Sequence, residues 1–160
     1  MGMFLASLIL IISTALFFFY LQIACQRILR RKFDREYSLS IVSANRLEFP
    51  AIRKGLEEFD APLDYPRARV MLKCDYLALT YLLKNAANVT QRYTREERLL
   101  IVYFRASLLS LAARHLLRLK EKPAALKLTA VLEYFANVVG QRVDLVRFAN
   151  LSASEYLLKV

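Results

Sequence analysis

The sequence predicts an all-α protein with one N-terminal transmembrane helix, followed by a cytoplasmic bundle of three main helices plus short flanking helices. Three observations carry that prediction. The first 26 residues contain no charged side chain; the rest is leucine-rich; and only three glycines and four prolines interrupt 160 residues. So few turn-formers exclude a collagen-like or disordered chain and argue against an all-β fold with many tight turns.

The first element runs from Met3 to Gln26. As a helix it would rise roughly 36 Å, enough to cross a hydrocarbon core of about 30 Å. Its polar residues are Ser7, Ser13, Thr14, Tyr20, Gln22 and Gln26, which is not the charged face of a helix lying in the interface. A cleaved signal peptide wants a positive start and a shorter apolar core, so an anchor is expected. The run Gln22-Ile23-Ala24-Cys25 is a poor lipoprotein processing site because Gln22 stands where an aliphatic residue is wanted. Arg27, Arg30, Arg31, Lys32 and Arg35 crowd the C-terminal flank and form the expected membrane-surface set. By the positive-inside rule they place the N-terminus outside and the C-terminal part in the cytoplasm of a cell-membrane protein.

No Gly or Pro lies between Gly2 and Pro50, so the first helix is free to continue as a stalk to about Tyr37. Pro50 to Phe59 is a candidate short helix opened by its proline. Glu57, Glu58, Asp60 and Asp64, with Pro62 and Pro66, read as a solvated acidic linker. The expected organisation is a span over 1–26, a basic stalk and acidic linker over 27–66, and a helical domain over 67–160.

Within that domain the first long helix follows Pro66 and fades at Asn88. A second starts at Thr94, where Thr94 and Glu97 have capping-box spacing, and runs to about Lys120. Its only interior charges are Arg105 and Arg114, beside His115, so it is expected to be the central core helix rather than a second span. Pro123 opens a third helix, Gly140 is placed to close it, and Val143 to Ala149 forms a further short one. Ser152 and Glu155 repeat the capping-box spacing before a last turn.

Enzyme signatures are absent where they would be visible. Glycines stand only at 2, 55 and 140, so no phosphate-cradling loop can be written. One histidine and two cysteines make neither a zinc site nor a disulfide framework. The expectation is a protein that is not an enzyme and has no cofactor. Arg105, in apolar surroundings, is expected to meet Asp75 and Glu133 in a core ion cluster that registers the three helices. Arg114, Arg118 and Lys122 recur every four residues as an exposed basic stripe, and Arg92, Arg95 and Arg98 cluster at the other end.

Net charge is +5 over 27–54, −4 over 55–66 and +9 over 67–160. For a tethered basic domain the nearest polyanion is anionic lipid at the membrane surface. The absence of a recognition motif disfavours nucleic acid. The expected function is an adaptor or accessory subunit whose helical domain binds a partner protein or a second copy of itself, because the second and third helices are apolar on more than one face. The rivals are a membrane-tethered enzyme or ligand-binding regulator built around Arg105 and His115, and a membrane-tethered nucleic-acid binder.

Overall fold

The structure is a computed structural model that describes residues 2–33, 36–58, 63–85 and 92–157, with residues 147–157 described as backbone alone. It is all-helical, with six helices and no strands among the described residues. They are α1 (Gly2–Leu29), α2 (Ser38–Asn45), α3 (Phe49–Glu58), α4 (Tyr65–Asn85), α5 (Arg95–Leu116) and α6 (Lys122–Leu157).

The helix at the centre is α6, not α5. It packs against each of the other five, and Ala125, Leu128, Val131, Leu132, Phe135 and Ala136 on it are wholly buried. It is apolar on several faces because it has neighbours on several sides. Helix α5 has one covered face, with Leu100, Tyr103, Phe104, Ser107 and Leu111 inside, and Leu99, Val102, Leu109 and Leu116 exposed. By length and composition both α1 and α5 are long and apolar enough to cross a membrane.

Between α1 and α4 the described residues form two short helices that pack on α6, the second of them the one expected after Pro50. Helix α1 ends at Leu29, Phe33 packs on Tyr134 with ring centroids 5.4 Å apart, and α2 and α3 both lie on α6. Each short helix begins on a polar side chain supplied by a long one. Asn137 Oδ1 of α6 accepts from the Tyr37 and Ser38 amides at 2.9 Å each. Asp75 Oδ2 of α4 accepts from the amides of Glu48 at 2.9 Å and Phe49 at 2.7 Å. Helix N-termini carry amides without intrahelical partners, and here distant side chains satisfy them.

Gly140 does not end α6, which continues to Leu157 as one helix. Its role is close approach: a Cβ there would collide with Tyr37 Cβ and lie 2.9 Å from Tyr37 Cγ. The start of α5 is as expected. Thr94 Oγ1 accepts from the Glu97 amide at 3.2 Å and Glu97 Oε2 from the Thr94 amide at 3.0 Å, a complete capping box. Ser152 and Glu155 lie outside the described side chains, and Asp60, Pro62 and Asn88 lie outside the described residues.

Candidate functional site

The expected Asp75, Arg105 and Glu133 cluster does not form. Arg105 is exposed on α5, with water to solvate its guanidinium, so it needs no carboxylate. Asp75 is taken by the α3 amides, and Glu133 Oε2 pairs with Arg53 Nη1 on α3. Burial raises the Asp75 carboxyl above its ordinary range, and the hydrogen bonds from Phe49 and Glu48 oppose that shift. Both acids hold α3 in place.

Arg114, Arg118 and Lys122 do not form a stripe along one helix, because α5 stops at Leu116. Arg118 has φ 51°, and its amide donates to His115 O while that of Leu119 donates to Arg114 O. This closes α5 with a left-handed residue at the position glycine usually fills. The three basic residues therefore gather at the turn between α5 and α6. His115 stacks on Tyr65 with centroids 3.9 Å apart, and its Nδ1 lies 2.7 Å from Glu121 Oε1. Among the described residues no nucleophile pairs with it.

Of the membrane-surface set, Arg27, Arg30, Arg31 and Lys32 are exposed, and Arg35 lies outside the described residues. Arg31 Nη1 sits 3.3 Å from Glu96 Oε2. That contact borders a polar cleft of about 460 Å³ whose lining includes Arg31, Lys32, Glu96, Glu97, Tyr134 and Arg142. Its groups are largely engaged with one another. Arg142 Nη2 meets the buried Glu97 Oε1 at 2.5 Å, and the Tyr134 hydroxyl donates to Glu96 Oε2 at 3.2 Å. Burial, with Glu96 beside it, pushes the Tyr134 phenol up to about 12, so it stays a neutral donor at physiological pH rather than a base. No group of three or more metal-ligating side chains occurs among the described residues.

Among the described residues a different surface is left without a packing partner. On α4, Val70, Cys74, Leu77 and Tyr81 recur at steps of four, three and four, which keeps them within a narrow stripe on one side of the helix. All four are exposed, Val70 at 61% and Tyr81 at 69%. The opposite side, through Ala68, Leu72, Asp75, Leu79 and Leu83, is buried. Lys73 and Lys84 stand beside the stripe. The sequence places surplus apolar surface on α5 and α6; among the described side chains it lies on α5, with Val143 and Leu145 on α6, and also on the outer face of α4. Asn137, Arg53 and Arg142 were also missed. The available signal for Asn137 was a lone amide among the apolar residues from Tyr134 to Val139.

Comparison of the chain with protein-family models, curated proteins and solved structures found no match.

Proposed function

We propose that this is a single-pass membrane protein whose cytoplasmic helical domain is an adaptor, docking a partner protein along the outer face of α4. The observation that carries this reading is the Val70, Cys74, Leu77 and Tyr81 stripe, an apolar row on a helix whose other face already fills the core. Two apolar faces on one helix imply two packing partners, and the domain supplies one. The flanking lysines suit a partner helix with acidic edges.

For the anchor, the support is an uncharged run of spanning length with four described basic residues at its exit. A ligand-binding regulator or enzyme built around Arg105 and His115 has no support from the polar cleft beside Tyr134, whose lining includes neither residue. Against a nucleic-acid binder, basic residues are divided between the two ends of α5.

The test is copurification from mild detergent of the full chain and of its Leu77→Asp variant. The reading predicts a protein partner retained by the first and lost by the second, at equal melting temperature because Leu77 is exposed. A partner held equally by both, or a monomer with none, would contradict it.

A further inference from the structure

The geometry points to a second membrane contact: the turn between α5 and α6 inserts its leucines into the interface of an anionic bilayer, so the domain rests on the membrane. This inference depends on α1 being the span. Helix α1 runs antiparallel to α5. Arg31 meets Glu96 and Cys25 Sγ lies 3.8 Å from Leu99 O. Further along, Phe18 and Leu21 share a small cleft with Ser107, Ser110, Arg114 and Pro123. As α1 numbers fall toward 18, α5 numbers rise toward 114. Continued by one turn, that register sets Leu116 to Leu119 at the level of α1 residues 14 to 17, inside the uncharged run.

Helix length leaves little room for another arrangement. Side chains 3–20 of α1 are exposed, and Leu21 is the first buried one. Those residues rise roughly 27 Å, which a hydrocarbon core of about 30 Å would take up entirely. The domain therefore begins where the helix leaves the lipid, and the turn that reaches past that level enters the interface.

The turn has the composition for it. Leu116 is 83% exposed and Leu117 66%, with Leu109 and Leu119 also exposed. Within residues 114–122 stand Arg114, Arg118, Lys120 and Lys122 and one acid, Glu121, which His115 already engages. Leucines at the tip with a basic ring behind them match the boundary between acyl chains and anionic headgroups. The ring's charge is opposite to that of the headgroups, and long basic side chains reach back to them.

The chain contains no tryptophan, so Leu117→Trp makes a sole fluorescent reporter. The full-length variant is reconstituted into vesicles of phosphatidylglycerol and phosphatidylcholine carrying bromine in the upper acyl chain. We expect blue-shifted emission, quenched by the brominated lipid and not by aqueous iodide. Leu39→Trp on α2, beside the far part of α6, should show the reverse. Quenching should fall in pure phosphatidylcholine and be insensitive to added inorganic phosphate, which separates a lipid headgroup from a free anion. Flotation with the vesicles reads the span and quenching reads the turn. A chain that floats while its Leu117→Trp reporter is quenched only by iodide would overturn the inference alone; a chain that does not float would overturn the anchor with it.

Discussion

At the residue scale, isolated polar side chains in apolar helices hold the short helices in this protein. Asp75, Asn137 and Glu133 each sit on a long helix and each fixes α2 or α3. Asp75 has the sharpest consequence, because its removal leaves the Glu48 and Phe49 amides without an acceptor, and Phe49 is 2% exposed. An unsatisfied buried donor costs roughly 1 to 3 kcal/mol. Asp75→Ala should therefore lower the melting temperature clearly, whereas Arg105→Ala, at an exposed site, should change stability by less than about 0.5 kcal/mol. Thermal unfolding of the two variants in detergent checks the order, and a larger loss at Arg105 would mean that its guanidinium is held inside.

At the scale of elements, helix starts were legible in the sequence and helix ends were not. Thr94 with Glu97, and Pro123 just inside α6, are local signals, because a start is made by residues three or four apart. Gly140 was misleading because one residue type serves two physical needs, a left-handed cap and a close approach, and only the neighbour distinguishes them. That neighbour is Tyr37, far away in sequence. Helix α2 was obscure for the same reason, since the acceptor at its start is Asn137, 99 residues away; α3 was legible from Pro50, but its acceptor Asp75, 27 residues from Glu48, was not. Gly140→Ala tests this packing. In an open helix, alanine would stabilise by about 1 kcal/mol. Here the added Cβ meets Tyr37 near its backbone, and overpacking of that kind costs typically about 1 to 3 kcal/mol. We expect a lower melting temperature and, in hydrogen exchange, faster opening of α2 than of α4. A gain in stability would show that α2 does not press on α6.

At the scale of the whole molecule, a buried central helix leaves its surroundings to meet everything else. Helix α6 is covered on several sides as far as Gly140, so among the described side chains exposed apolar surface collects mainly on α1, on the outer face of α4, and on α5 with its terminal turn, with Val143 and Leu145 on the later part of α6. The proposed reading gives each a different medium: lipid for α1, the bilayer interface for the turn, and a protein for α4. The helix long and apolar enough to span was legible from the uncharged N-terminal run. The docking side was not, since α4 has both an inner and an outer apolar row, and spacing alone does not say which row the core takes. The two cysteines report on this arrangement, because Cys25 is wholly buried against α5 and Cys74 lies exposed in the α4 stripe.

The most direct measurement is maleimide labelling of those cysteines in inverted native membrane vesicles, compared with the purified protein. Docking along α4 predicts that Cys74 is protected in the vesicles, becomes reactive after purification away from the partner, and is reactive in both settings in the Leu77→Asp variant. Cys25 should stay unlabelled until the protein is unfolded. Equal labelling of Cys74 in the vesicles for wild type and Leu77→Asp would contradict the account.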